Sequence, residues 1–375
     1  MSHTIPGEPL GSADGSQLSD LEPLGFSPRW QALFATLAGP DTVPARVIRA
    51  DRGSTLVAGV SGVLRARPTA ALLKDAAGSA DLPTVGDWVV VAAPPDHDTP
   101  LIEAVLPRTS AITRGDPGDQ SQVQVLAANI DTVFVVHPID GPPNVRRIER
   151  ELSLAWDSGA IPVVVLTKAD ASPSPDEARA EVEASAFGVD VLLTSAVRGL
   201  GVDDLLKYLA EHRTAALIGP SGSGKSTLTN ALLGEDRQAT REVREHDRRG
   251  RHTTVARELI ALPKGGLIID TPGLRALALT GSEAGISSTF PDIEEAALEC
   301  RFRDCTHTAE PGCGVQAAVE EGTIPAGRLE SYRKLLREAE VAAMKTDPRL
   351  RAAEVRKWKI IHKSVKDHYR LTGRG

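Results

Sequence analysis

The chain has 375 residues, 41% hydrophobic and 25% charged, with a formal net charge of −7. That length admits more than one domain with its own core, and the composition is that of a globular protein, which excludes fibrous and wholly disordered classes. No apolar run reaches membrane-spanning length, and Met1 to Asp20 has neither a basic cluster nor an apolar core, so a cytoplasmic protein without a membrane partner is expected.

Residues 1–42 start Gly/Ser/Pro-rich and are expected to be a flexible extension, with a short helix over Pro28–Leu37 packed on a neighbouring domain. Residues 43–112 then carry short β-like runs bounded by turn residues: Ala45–Ile48, Ser54–Ala58, Gly62–Ala66, Asp87–Ala92 and Leu101–Val105. Such closely spaced strands fit a small closed barrel of the OB type. OB barrels bind RNA or serve as scaffolds, and both readings stay open.

From Ile130 strands alternate with helices, which predicts a parallel sheet with ligands at the strand carboxyl ends. Expected strands are Asp131–Val136, Ile161–Leu166, Val189–Leu193, Ala215–Ile218 and Gly266–Asp270; expected helices are Val145–Ser158, Pro175–Ala186 and Val202–Leu209. The second strand runs into Thr167-Lys168-Ala-Asp170, which resembles the guanine-reading [NT]-K-x-D motif. A carboxylate at Asp170 can accept from both the ring N–H and the exocyclic amine of guanine, a donor pair that adenine lacks. Lys168 can lay its aliphatic stem over the base. Ser195-Ala196, after the third strand, resembles the companion motif, whose backbone N–H contacts the guanine carbonyl.

The fourth strand leads into Gly219-Pro220-Ser221-Gly222-Ser223-Gly224-Lys225-Ser226-Thr227, of the G-x-x-x-x-G-K-[ST] form, and then the helix-like Leu228–Leu233. Glycines let backbone N–H groups converge on a phosphate, the helix start adds positive potential, Lys225 reaches the β/γ-phosphates and Ser226 can ligate Mg²⁺. The fifth strand ends in Asp270-Thr-Pro-Gly273, where an acid can hold Mg²⁺ through water and Gly273 lets an N–H approach the γ-phosphate. Between them lies a polar, Arg-rich stretch with Gly250-Arg-His252-Thr253-Thr254, expected to be a mobile switch loop before a strand over Val255–Leu262. Leu274 stands where many GTPases carry a water-positioning Gln, so catalysis must be slow alone or use another group. The guanine elements precede the phosphate loop, the reverse of ordinary small GTPases, so the reading is a circularly permuted GTPase.

Cys300, Cys305, His307 and Cys313 fall within fourteen positions and include every cysteine of the chain. Three thiolates and an imidazole form a closed set for one structural Zn²⁺, with Pro311-Gly312 as the turn before the last ligand. Beyond it, residues 328–375 hold 14 Lys/Arg against 6 Asp/Glu, a net of +8 that leaves −15 for the remainder. Trp358, Ile361 and Val365 fall on one helical face there, and the surplus charge suits rRNA phosphates as well as a solvated helix.

The permuted order, the preceding barrel, G-R-H-T-T, D-T-P-G and the cysteine cluster together resemble the RsgA family, also called YjeQ or YloQ, over about Val43 to Arg370. The resemblance implies a GTPase that hydrolyses GTP to GDP, acts in late maturation of the 30S ribosomal subunit with its 16S rRNA, works as a monomer and is stimulated by the ribosome. It implies that Thr253 or Thr254 closes on Mg²⁺, and it makes His252 the candidate catalytic group, although His252 as a mere cap of the loop is equally compatible. Thr167 departs from the Asn of many members, which puts a base-edge contact in doubt but leaves Asp170. The expected architecture is multidomain: extension 1–42, OB-fold barrel 43–112, permuted α/β P-loop GTPase domain 113–280, and zinc-binding α domain with basic tail 281–375. Two rivals remain. One is an ATPase of the transporter type, which lacks support from any L-S-G-G-Q run or an acid directly after Asp270; the other is an RNA-binding scaffold with a structural nucleotide.

Overall fold

The computed structural model describes residues 18–51, 54–94, 97, 99–115, 123–234, 257–270, 282–346 and 349. Helix α1 (Pro28–Leu37) leads into β1 (Thr42–Asp51), β2 (Ser54–Gly59), β3 (Gly62–Pro68), the short helix α2 (Ala70–Asp75), β4 (Trp88–Ala92) and β5 (Leu101–Val105). Neighbours pair in the order β1-β2-β3-β5-β4, and β4 pairs back onto β1, so the five strands close into a barrel. The β3–β5 pair is parallel and the others antiparallel. Alternate residues point inward, as a period of two requires, and Val43, Ala45, Val47, Val57, Val89, Val91 and Ile102 fill the interior.

Strand β4 reads Trp-Val-Val-Val-Ala because both of its faces are covered. Val89 and Val91 face the barrel, while Trp88 and Val90 lie under Leu21, Phe26 and Trp30. Phe26 meets the Trp88 ring edge-on at 4.8 Å between centroids. Only the part before Pro28 departs from what is expected of the 1–42 extension: Leu21 and Phe26 are packed where flexibility is expected, whereas a packed helix over Pro28–Leu37 is part of the expectation for that extension. Its residues from Leu18 through Leu37 cap the barrel, because a five-stranded barrel with an apolar outer strip needs a lid.

Asp87, just before β4, is fully buried and accepts two bonds from the Arg108 guanidinium, each at 2.7 Å. Arg108 also donates to the carbonyl oxygens of Ala80 and Leu82. Burial drives the Asp87 carboxyl upward and the Arg108 bonds oppose it. Replacing Arg108 with alanine strands that carboxylate, and the expected loss is about 3–5 kcal/mol. Thermal denaturation should show the variant melting roughly 10 °C lower; a shift within about 2 °C would mean the pair is dispensable.

The hairpin β6 (Ala111–Gly115) and β7 (Val123–Ala128) links the barrel to a second set of strands: β8 (Thr132–Pro138), β9 (Ile161–Thr167), β10 (Asp190–Leu193), β11 (Thr214–Ile218), β12 (Glu258–Ala261) and β13 (Leu267–Asp270). Their order is β10-β9-β8-β11-β13-β12, parallel except for β12. Helices cover both faces. On one side α3 (Val145–Asp157) and α4 (Pro175–Glu183) bury Ile148, Leu152 and Val182; on the other α5 (Val202–Leu205) and α6 (Lys225–Leu233) bury Leu205, Leu228 and Leu232. Helix α4 stops three residues short of the expected end at Ala186, and residues 206–209 tighten into a 3₁₀ turn after α5.

Strand β12 also pairs with β1 at Arg49 and Glu258, so barrel and α/β sheet form one eleven-stranded surface. Arg46 pins this junction from β1. Fully buried, it donates to Thr214 Oγ1 at 2.8 Å, Asn129 O at 3.2 Å and Gly86 O at 3.3 Å, and also to Leu24 O. Burial lowers its pKa to about 10, with Asp131 and Asp87 pulling the other way.

The described chain ends in helices α7 (Glu283–Thr289), α8 (Pro291–Ala297), α9 (Gly314–Glu320) and α10 (Ala326–Thr346) around Ile286, Phe290, Ile293, Val315, Tyr332 and Leu335. Gly285 lets α7 lie directly on α3, since a Cβ there would sit 2.3 Å from Ser153 O. No described helix is long and apolar enough to cross a membrane.

Candidate functional site

The carboxyl ends of β8, β9, β10, β11 and β13 share one rim of the sheet, and the expected motifs gather on it. Gly219 leaves β11 with φ of +142°, and a Cβ on it would stand 2.1 Å from Val136 O. Any other residue would push the loop off the end of β8. Gly219–Gly224 then turns into α6, whose first residue is Lys225. The Lys225 ammonium donates to Pro220 O at 2.6 Å, Gly219 O at 2.8 Å and Ser223 Oγ at 3.2 Å, so the cation is held against the loop mouth. Ser223 is buried, Ser221 is exposed, and Ser226 and Thr227 open the helix half-buried.

Thr167, at the end of β9, has its hydroxyl 2.6 Å from Ser223 O and 3.3 Å from His137 O. A buried hydroxyl with one proton gives it to the nearer carbonyl. Thr167 therefore ties the guanine-type loop to the phosphate loop, a contact that the sequence reading, which assigned it a base edge, did not foresee.

Lys168 follows with φ of +60°, in the left-handed region where few residues other than Gly, Asn and Asp rest. Its ammonium lies 2.6 Å from Asp140 Oδ2, beyond the end of β8. Ala169 N donates to Thr194 O at 3.1 Å, which brings the β9 and β10 loops together. A hydrogen bond from Ser195 holds the exposed Asp170 carboxyl below its ordinary range, so it stays an ionised acceptor. Ser195 and Leu200 bridge to each other, closing the loop that carries Ala196. Phosphate loop, Thr167–Asp170 and Ser195–Ala196 thus form one contiguous rim. His252, Thr253, Thr254 and Gly273 lie outside the described residues, as do the side chain of Asp270 and the basic tail from position 350; the backbone of Asp270 ends β13 beside β12.

Sequence reasoning missed Asp140 and the buried His137–Glu151 pair, 2.6 Å apart, which Arg147 joins at 3.0 Å. The available signal for Asp140 was an acid followed by Gly-Pro-Pro at the tip of a buried strand.

The cysteine cluster lies well away in sequence, between α8 and α9. The ligand atoms of Cys300, Cys305, His307 and Cys313 all fall within 4.8 Å of one another. Cys300 Sγ and Cys313 Sγ are 3.8 Å apart, and each is 3.5 Å from His307 Nδ1. A zinc tetrahedron with Zn–S of about 2.3 Å and Zn–N of about 2.05 Å has S···S edges of about 3.8 Å and S···N edges of about 3.6 Å. The donor set and the three edges among Cys300, Cys313 and His307 fit zinc. Burial would raise the Cys300 thiol, but hydrogen bonds from the Val315 and Gly314 N–H groups at the start of α9, together with those from Cys313 and Cys305, hold it below its ordinary value. Gln316 Nε2 donates to His307 O at 2.5 Å and fixes the ring-bearing turn.

Residues 105–280 match the model of the RsgA GTPase family. The small ribosomal subunit biogenesis GTPase RsgA of Opitutus terrae is 44% identical over 363 residues, 94% of this chain and 99% of the relative. The crystal structure of YjeQ from Thermotoga maritima is 27% identical with a TM-score of 0.60, covering 80% of this chain and 98% of that one. That of YloQ, described as a circularly permuted GTPase, is 26% identical with a TM-score of 0.56, covering 80% and 95%. Strand order, motif order and a full-length relative at this identity agree, and the chain belongs to the RsgA family of GTPases.

Proposed function

We propose that this GTPase binds the small (30S) ribosomal subunit and assists its late maturation, with GTP hydrolysis to GDP stimulated by that subunit. The observation that carries the reading is the convergence of Asp170, Lys168 and the Lys225 loop on one sheet rim in a chain whose relative is named for small-subunit biogenesis. GTP would lie with its base at Asp170, Ser195 and Ala196 and its phosphates in the amides of Gly219–Gly224, extended by Ser226 and Thr227. Lys225 would stabilise charge on the γ-phosphoryl group and His252 would orient the attacking water. Ser226, Thr253 or Thr254 and, through water, Asp270 would hold Mg²⁺, which would supply charge neutralisation at the phosphates. One structural zinc fits the Cys300–Cys313 set. The working units are the extension 1–42, barrel 43–112, GTPase domain 113–280 and zinc domain 281–375. The barrel and the basic tail would meet 16S rRNA, with the protein a cytoplasmic monomer.

Phosphate release from GTP and from ATP, with and without purified small subunits, tests this. GTP-selective turnover that rises strongly with subunits is the expected result. Equal use of ATP would remove the guanine reading, and indifference to subunits would remove the ribosomal one. Truncation before Phe290 with full subunit-stimulated turnover retained would separate the zinc domain from the activity.

Asp170→Asn gives a chemical check on base recognition. The amide keeps one acceptor but presents a donor where guanine also donates, so GTP affinity should fall by about 10²-fold or more. Xanthine carries an acceptor at the amine position, so XTP should bind the variant better than GTP does. Equal binding of GTP by both proteins, read by equilibrium titration, would remove Asp170 from the base site.

A further inference from the structure

We propose that Asp140 is a positioning residue of the nucleotide site: it tethers the Lys168 ammonium so that the lysine stem is laid out in advance as a platform for the purine. This deepens the guanine reading above and rests on it. The argument starts from register. Strands β8 and β9 are parallel with Pro138 opposite Thr167, and Ile139 N donates to Thr167 O at 2.9 Å, so the ladder continues to the rim. Asp140 and Lys168 are the next residues out on their strands, and their charged groups meet at 2.6 Å. Both ends are stiff. Ile139 is buried beneath Asp140, and Gly141-Pro142-Pro143 leads from it to Asn144, whose side chain caps α3 by accepting from Arg147 N. Lys168 sits in a left-handed backbone fixed between Thr167, bound to the phosphate loop, and Ala169, bound to Thr194 O.

As a stabilising contact the pair is worth little, since its side chains are 39% and 46% exposed and an open ion pair is screened by water. Its weight falls on binding instead. A free lysine samples many rotamers, and ordering it on a base face costs affinity that a tether has already removed. The stem is apolar and touches the ring face, so it does not read the exocyclic amine, which is Asp170's task.

The sign of the effect discriminates between accounts. If Asp140 acted through bulk charge alone, Asp140→Asn would tighten binding of an anionic nucleotide by removing repulsion. Positioning predicts the reverse: GDP and IDP should each weaken by about three- to tenfold in Asp140→Asn and Asp140→Ala, by the same factor, with their ratio unchanged. Asp140→Glu, which keeps the carboxylate, should recover most of the loss, and melting temperatures should stay within about 2 °C of the parent. Full-length protein titrated with fluorescent GDP, then competed with GDP, IDP and ADP, reads all of these values. Unchanged or tighter binding in Asp140→Asn, with the parent guanine-selective, overturns this assignment alone. A parent that binds ADP as well as GDP overturns the guanine reading and this inference with it.

Discussion

Exchanging Cys305 for serine is expected to release the metal and unfold the stretch from Leu298 to Leu335, while GTP binding persists. The reason is the size of the local core. It rests on nine buried residues, Cys313 among them, and the ligand-bearing stretch from Leu298 to Cys313 contains neither helix nor strand. Beyond local bonds such as Arg301 N to Gly312 O and those from Thr306 N and Thr308 N to the Glu310 carboxylate, residues 298–313 are held in shape by the four ligands and by Gln316, whose bond to His307 O depends on the same turn. Structural zinc contributes roughly 10–16 kcal/mol of apparent binding free energy in small modules, far more than such a core supplies. Serine is a poor zinc ligand at neutral pH, and the remaining set leaves an open position. Zinc content after gel filtration should drop from one equivalent to near zero. Limited proteolysis should then cut within 298–335 and leave the GTPase sheet intact. The phosphate loop shares no residue with the cluster, so GDP titration is the control that separates local from global unfolding. A Cys305→Ser protein that keeps one tightly bound zinc and resists the protease would refute the structural role.

Motifs that do chemistry were legible because the chemistry fixes residue type and spacing together. Gly219 must be glycine for the loop to pass Val136 O, and the thiolates must lie within a tetrahedron's edges, so both sites could be read one residue at a time. The barrel was legible for a different reason: alternation in Val43, Ala45 and Val47 is what an inward face imposes. What escaped was long-range and polar. Leu21 and Phe26 lie ahead of the helix expected over Pro28–Leu37, so their burial over Trp88 depends on a surface that the sequence does not display. Thr167 looked like an imperfect asparagine until its partner, Ser223 O, came from the phosphate loop 56 residues downstream. Nothing local marks Arg46, Arg108 or Arg328 for burial, because the carbonyls and acids that surround them come from distant segments.

Arg328 carries the second large effect. It opens the first turns of α10 with its side chain 4% exposed, and reaches Glu149 of α3 at 2.8 Å and Asp292 of α8 at 2.7 and 2.8 Å. It also donates to Thr289 O and Ser185 O, and its guanidinium stacks 4.6 Å from the Phe290 ring centroid and 5.0 Å from that of Phe187. One side chain thus joins the zinc module, the helices that follow the Asp270 strand and the guanine side of the GTPase sheet. Alanine at 328 leaves the buried Glu149 carboxylate and the partly buried Asp292 carboxylate without their cation, at a cost of about 3–5 kcal/mol. The melting temperature should fall by roughly 10 °C, and Glu149→Gln on top should restore part of the loss, since the second charge is then gone.

The pH dependence has a definite sign. Burial already raises the Glu149 carboxyl above its ordinary value, and the Arg328 charge pulls it back. Without Arg328 the folded protein holds the proton more tightly than the unfolded chain does. Stability of Arg328→Ala must then fall as pH rises through the raised folded value, and its deficit against the parent must shrink as the medium is acidified toward the ordinary carboxylate range. Paired melting curves at neutral and mildly acidic pH read this directly. A deficit independent of pH, unrelieved by Glu149→Gln, would mean that Arg328 acts through its packing on Phe187 and Phe290 and not through its charge.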